Sequence, residues 1–192
     1  MKILTDRLTA SPTAFAFEAG SGWWQQRMPR HAGLPPELDH PFAVHVEAHV
    51  MGEDIYLEGR VEGELALECG RCLARYRQRL CEPFRLVLEP AGTREPADPE
   101  AARALRETGL CLEDEFETGW YRGAEIQLDA VCLEVISLAL PVQPLCKPEC
   151  AGLCSRCGKD LNQGDCGCEE VRPPSPFDVL ATLRDGGSEG IN

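Results

Sequence analysis

The chain has 192 residues, of which 43% are hydrophobic and 27% are charged, and this composition excludes a wholly disordered protein. Its formal net charge is −13. Nucleic-acid-binding proteins usually carry a net positive surface, so an RNA-binding function for this chain would have to depend on a local basic region.

The middle of the chain alternates apolar and polar residues. Over residues 42–50 every second position is apolar, and the same period returns over residues 55–67 after a turn at Gly52. Such alternation is typical of antiparallel strands with one buried face. A third strand is predicted over residues 76–88, so the three strands are expected to form a meander.

Residues 89–118 interrupt this pattern. They contain nine acidic residues and three arginines, a net charge of −6, and three prolines that break long elements. We predict a solvated, partly disordered acidic insertion with a short helix near residues 101–106.

A strongly apolar element follows the insertion. Asp129 begins a predicted helix over residues 129–140, which Pro141 ends. Because apolar residues lie on most sides of this helix, we expect it to be buried.

Eleven cysteines require an explanation, because no signal peptide and no apolar stretch long enough to cross a bilayer are apparent. We expect a cytoplasmic protein, and disulfides are disfavoured in that reducing compartment. Pairs of cysteines at short spacing are typical of tetrahedral zinc–thiolate sites, so we predict two bound zinc ions. The four pairs are Cys69 with Cys72, Cys146 with Cys150, Cys154 with Cys157, and Cys166 with Cys168.

The spacing leaves two groupings of these pairs open. In the first, residues 154, 157, 166 and 168 close a local knuckle, and the pair at residues 69 and 72 meets the pair at residues 146 and 150. In the second, residues 146, 150, 154 and 157 form one site, and residues 69 and 72 meet residues 166 and 168. With four protein ligands in each, both sites would be closed and structural.

These elements together predict an α+β fold. It consists of an antiparallel β-sheet, either open or partly closed into a barrel, with one buried helix and a C-terminal zinc knuckle. The sheet domain is expected to occupy residues 1–145, including the insertion, and a cysteine-rich zinc-binding module residues 146–170. A short helix and a tail are expected over residues 171–192.

The same residues carry a resemblance to a known family. The sequences at residues 67–72 (Leu-Glu-Cys-Gly-Arg-Cys), 128–129 (Leu-Asp), 136–141 (Ile-Ser-Leu-Ala-Leu-Pro), 150–162 and 176–183 resemble the YceD-like family. This family is linked to accumulation of large-subunit ribosomal RNA. Some members lack the block of cysteines at residues 154–168 and keep the other two pairs, so the resemblance favours the first grouping.

The resemblance implies a non-enzymatic ribosome-biogenesis factor that binds large-subunit ribosomal RNA or its precursor particle. The net negative charge of the chain adds a basic ribosomal protein as an alternative partner. One local feature supports RNA contact, since residues 69–85 contain five arginines and a single glutamate. In a strand, arginines two residues apart project from one face, where they can contact phosphates beside an aromatic ring. The predicted RNA-contacting residues are Arg71, Arg75, Tyr76, Arg77 and Arg79. The alternative is an ordinary solvated strand face paired with Glu62 or Glu64.

A second class of function is a zinc-thiolate redox sensor or redox-switched holdase. Clustered thiolates are oxidisable, and the apolar helix over residues 129–140 would be exposed when zinc is released. Catalysis is not expected, because His45 and His49 are about 13 Å apart along a strand and no phosphate loop or nucleophile motif is visible. The sequence therefore predicts neither a small-molecule substrate nor a membrane partner.

Overall fold

A computed structural model describes residues 1–27, 34–113 and 117–168. The chain forms two compact units, Met1–Cys150 and Ala151–Asn192. The short helix and tail predicted over residues 171–192 lie outside the described residues. None of the described helices combines the length and the apolar character that a membrane span requires.

The first unit is mostly β-structure. The described residues of this unit form eight strands: β1 (Lys2–Leu4), β2 (Thr13–Ala19), β3 (Phe42–Met51), β4 (Asp54–Glu68), β5 (Arg75–Pro90), β6 (Leu110–Leu112), β7 (Thr118–Tyr121) and β8 (Glu125–Gln127). Its helices are α1 (Ser21–Arg27), α2 (Pro99–Thr108) and α3 (Asp129–Ala139), with a 3₁₀ turn at Thr5–Arg7. The mixed α+β class predicted from the sequence is confirmed.

The larger sheet has the strand order β2-β3-β4-β5-β7-β6, and β1 pairs with β8 in a separate two-stranded sheet. The predicted meander is confirmed, since β3, β4 and β5 pair antiparallel in sequence order. The sheet is not wholly antiparallel, because β7 runs parallel to the end of β5. Strands β2 and β6 lie at opposite edges, so in the described residues the sheet is open and the partly closed barrel is not formed.

The hydrophobic core lies between one face of the larger sheet and α3. Val131, Cys132 and Ile136 of α3 are buried, and they join a core that includes Phe42 and Leu86 of the sheet. The prediction of a buried helix is confirmed for the side of α3 that carries these residues. Near the end of α3, however, Leu138 is 67% exposed.

A buried carboxylate fixes the start of α3. Asp129 is 4% exposed, and its Oδ1 accepts a hydrogen bond from the indole N–H of Trp23 on α1. The guanidinium of Arg27, also on α1, lies 3.7 Å from Asp129 Oδ2. Because a buried charge is stable only when it is paired, these contacts hold α1 against the beginning of α3.

The acidic insertion is folded where it is described. Asp98 caps α2 by accepting a hydrogen bond from the N–H of Ala101, and Pro99 occupies the first turn, where a missing N–H costs nothing. Leu105 of α2 packs with Ala91 and Cys111 in a second small core. The predicted short helix near residues 101–106 thus falls within α2, in a segment more ordered than we expected. Residues 114–116 lie outside the described residues.

Candidate metal centres

Four cysteines from two distant parts of the first unit meet at one point. Cys69 and Cys72 lie in the turn between β4 and β5, and Cys146 and Cys150 lie in the loop after α3. The Sγ atoms of Cys69 and Cys150 are 3.8 Å apart, and those of Cys72 and Cys146 are 3.7 Å apart. We call these four residues the first tetrad.

The sulfur spacing in the first tetrad suits a zinc ion. Four sulfurs at the usual Zn–S distance of about 2.3 Å form a tetrahedron with edges of about 3.8 Å. The two measured distances agree with that edge, and they are far longer than the S–S bond of about 2.0 Å in a disulfide. The donor set and its geometry therefore fit a tetrahedral divalent metal.

Main-chain hydrogen bonds shape the turn that carries Cys69 and Cys72. The N–H of Leu73 donates to the carbonyl of Cys69, and Leu73 has a left-handed backbone conformation with φ of 59°. The N–H of Gly70 donates to the carbonyl of Pro144, which joins the turn to the loop after α3. Sequence reasoning missed both Leu73 and Pro144, and neither residue carries a local signal of its role.

The second tetrad is local. Cys154, Cys157, Cys166 and Cys168 place their sulfurs within 4.8 Å of one another inside the second unit. The N–H of Cys154 donates to the carbonyl of Lys159, and the N–H of Gly158 donates to the carbonyl of Cys154. Gly158 has φ of 72°, a conformation that glycine adopts without a steric penalty. The result is a tight knuckle around the four thiols.

Proton affinities differ within each tetrad. Burial raises the pKa of the Cys69 thiol, but hydrogen bonds from main-chain N–H groups outweigh it and lower that pKa to about 6. Main-chain N–H donors likewise lower the pKa of Cys154 to about 6. Burial and the neighbouring sulfurs raise the pKa of Cys146 to about 12, and neighbouring sulfurs raise that of Cys168 to about 12. All four thiols of a tetrad would be ionised together only beside a cation, which a divalent metal would supply.

The eight cysteines thus form two separate groups of four. Of the two groupings that the spacing left open, this is the first, which the family resemblance also favours. The remaining three cysteines lie outside both tetrads. Cys81 is exposed on β5, and Cys111 and Cys132 are buried.

The three arginines predicted to contact RNA on β5 are exposed on one face. We call Arg75, Arg77 and Arg79 the arginine row. Strand β4 places carboxylates beside it, with Glu68 opposite Arg75 and Glu64 opposite Arg79. Arg77 Nη1 lies 3.4 Å from Glu64 Oε2. The row is therefore largely balanced in charge by its neighbouring strand.

The other two predicted RNA-contacting residues belong to the surroundings of the first tetrad. Tyr76 alternates with the arginine row and packs against the core. Burial raises the pKa of its hydroxyl, and the thiolates of Cys69 and Cys146 raise it further. The guanidinium of Arg71 donates from Nη1 to the carbonyl of Cys150 at 3.0 Å. Arg71 therefore ties together the two segments that supply the first tetrad.

Fold and sites together define a class: an α+β protein with two cysteine tetrads suited to metal binding. Residues 57–184 match the family model described as Large ribosomal RNA subunit accumulation protein YceD. This match covers most of the chain and includes all eight tetrad cysteines. The chain belongs to the YceD family.

The individual relatives share between 22% and 32% of aligned residues with this chain. An uncharacterised protein of Mycobacterium tuberculosis (strain H37Rv) is 32% identical over 111 residues, which are 58% of this chain and 47% of that protein. An uncharacterised Mycobacterium leprae protein is 23% identical over 144 residues, 75% of this chain and 56% of its own length. The chloroplastic large ribosomal RNA subunit accumulation protein YCED homolog 1 of Arabidopsis thaliana is 22% identical over 158 residues, 76% of this chain and 49% of that protein.

The chain therefore spans about half the length of these curated relatives. No solved structure matches the chain.

Proposed function

We propose that this chain is a zinc-binding, non-catalytic factor that promotes accumulation of large-subunit ribosomal RNA. The family name supports the process. The observation that carries the metal part of the proposal is the sulfur spacing of 3.7 and 3.8 Å in the first tetrad. One zinc ion would occupy each tetrad.

The role of the first zinc follows from the ligands that would hold it. Cys69 and Cys72 belong to the β4–β5 turn, whereas Cys146 and Cys150 belong to the loop after α3. An ion with four protein ligands has no position for a water or substrate, so it acts on structure and not on chemistry. It would hold the turn and the loop together where Arg71 already links them.

The partner that the charges favour is a basic ribosomal protein. The chain carries 32 acidic and 19 basic side chains. Glutamates of β4 lie beside the arginine row, and one of them, Glu64, pairs with Arg77. A net charge of −13 attracts a basic polypeptide and repels the phosphate backbone of RNA. By binding such a protein before or during assembly, the factor would favour completion of the large subunit and the survival of its RNA.

The RNA itself is the second candidate partner. It is favoured by the position of the arginine row, whose three side chains are exposed on one face of β5. Cross-strand ion pairs at a surface contribute little, so a phosphate group could replace a glutamate as the partner of an arginine.

A holdase that exposes α3 on oxidation fits the contacts less well. Val131, Cys132 and Ile136 of α3 are part of the main core, so exposing this helix would require the first unit to unfold. Oxidation of the second unit alone would leave those contacts in place.

The function is tested by deleting the gene in its host and measuring the ratio of large- to small-subunit ribosomal RNA. We expect the ratio to fall and to be restored by the wild-type chain. An unchanged ratio in the deletion strain would overturn the proposal.

The partner is tested by sedimentation of lysates at low and moderate salt, followed by crosslinking. A variant with all three arginines of the row changed to glutamine is compared with a variant carrying the same change at Arg7, Arg60 and Arg103. If a basic protein is the partner, both variants stay associated with large-subunit precursors. Selective release of the arginine-row variant would instead identify RNA as the partner.

A further inference from the structure

The two tetrads differ in their access to solvent. In the first tetrad Cys69, Cys72 and Cys150 are buried and Cys146 is half-buried. In the second tetrad the residues Cys157 and Cys168 are exposed, and Cys154 and Cys166 are half-buried. A reagent dissolved in water therefore reaches two sulfurs of the second tetrad directly and meets mainly buried sulfurs at the first.

The tetrads also differ in what else holds their surroundings together. The described part of the second unit, residues 151–168, contains one β-bridge between Leu153 and Asp160 and a 3₁₀ turn at Leu161–Gln163. Among these residues only Gly152 is buried. A segment without a hydrophobic core depends on its metal to fold. The first unit, in contrast, has an extensive core of its own.

We propose that the second tetrad is an oxidation site for hydroperoxides, at which oxidation releases zinc while the first tetrad keeps its ion. This inference rests on the proposed zinc binding. It makes residues 151–168 an oxidant-sensitive segment. The fold of the first unit and its metal are unaffected by the reaction.

The chemistry needs only the tetrad and hydrogen peroxide. A thiolate of Cys157 or Cys168 attacks one peroxide oxygen, so an S–O bond forms, the O–O bond breaks and hydroxide leaves. A second thiolate of the tetrad attacks the oxidised sulfur, so an S–S bond forms and a second hydroxide leaves. Two thiolates lose two electrons in total, and one peroxide gains them. The disulfide no longer offers two thiolate ligands, so the zinc ion is held by two sulfurs and dissociates.

The spacing permits this second step. All four sulfurs of the second tetrad lie within 4.8 Å of one another, so an oxidised sulfur has a neighbouring thiolate at hand. Cys81 is the internal comparison, since it is exposed and belongs to neither tetrad. Oxidation at Cys81 should therefore proceed without loss of metal.

The experiment uses the full chain, purified reduced and without chelator. Its zinc content is measured first, and hydrogen peroxide is then added while free zinc is followed with a colorimetric zinc indicator. We expect one of two zinc ions to be released, and peptide mass mapping to find the disulfide within residues 154–168. Release of both ions, of neither, or of the ion bound by the first tetrad would overturn the inference. A chain that holds no zinc before treatment would instead overturn the proposed metal binding.

Two variants sharpen the result. The double change Cys157→Ser and Cys168→Ser should leave one zinc ion, which peroxide does not release. Cys81→Ser should leave two ions, and peroxide should still release one of them. If Cys81→Ser abolishes release, the reactive sulfur is Cys81 and the assignment to the second tetrad is wrong.

Discussion

The Sγ atoms of Cys69 and Cys150 lie 3.8 Å apart, although 81 positions separate the two residues in the chain. A metal bound between them would close the long loop that contains β5, the acidic insertion and α3. Closing a loop of this length removes entropy from the unfolded chain and so stabilises the folded one. A metal in the first tetrad would therefore stabilise the fold by crosslinking these two distant parts of the chain.

Replacing Cys69 by serine should destabilise the first unit by on the order of 5 kcal/mol, because loss of a metal is among the largest effects of a single substitution. Urea unfolding followed by far-ultraviolet circular dichroism measures the change. Cys81→Ser is the matched control, since this exposed cysteine is outside both tetrads and should change stability by less than about 0.5 kcal/mol. Equal effects of the two substitutions would contradict the role of the first tetrad.

Gly63→Ala should destabilise the main core. A Cβ at this position would overlap the aromatic ring of Phe42, which is fully buried and stacks on Trp24. Overpacking of this kind costs about 1–3 kcal/mol. Gly22→Ala in α1 is the control, because its Cβ would meet no atom within 4 Å and should be neutral or slightly stabilising. A thermal melt in which Gly63→Ala is as stable as Gly22→Ala would show that the ring of Phe42 can move aside.

Glu95 should give the acidic insertion a pH-dependent contribution to stability. Arg122 Nη1 lies 2.7 Å from Glu95 Oε1, and Arg106 Nη1 lies 3.2 Å from Oε2. The hydrogen bond from Arg122 lowers the pKa of Glu95 below its usual value. Because this pKa is lower in the folded than in the unfolded chain, the contribution is present above the unfolded pKa and is lost as the pH falls through the folded pKa.

The test is a comparison of melting temperatures for Glu95→Gln and wild type across a pH series. At pH 7 the melting temperature of the variant should be lower than that of the wild type. The difference between the two melting temperatures should narrow as the pH falls below about 4, where the wild-type carboxylate also becomes neutral. A difference that stays constant over the whole series would mean that the charge of Glu95 does not contribute.

The meander and the buried helix could be predicted because their signals are local. The period of two over residues 42–50 and 55–67 reports one buried face for each strand, and Pro141 marks the end of the helix that starts at Asp129. The parallel pairing of β7 with β5 could not be predicted, because it joins short segments separated by α2 and β6. The order within the insertion is not predictable from its prolines alone, because a proline that breaks a helix interior also suits a helix start, and Pro99 begins α2 after the cap at Asp98.

The candidate site was predictable in its residues and only partly in its arrangement. Spacing identified all eight cysteines, since short-spaced pairs are a property of the local chain. The meeting of residues 69 and 72 with residues 146 and 150 depends on where α3 ends against the sheet, which spacing does not encode. The charge balance of the arginine row likewise depends on the register of β4 against β5, which places Glu64 and Glu68 beside it.

The most direct test of the whole account is native mass spectrometry of the full chain, purified reduced and without chelator. The account predicts a mass that corresponds to two zinc ions per chain in the wild type, and to one in the double variant Cys157→Ser and Cys168→Ser. A wild-type chain that is folded and carries no metal would contradict it.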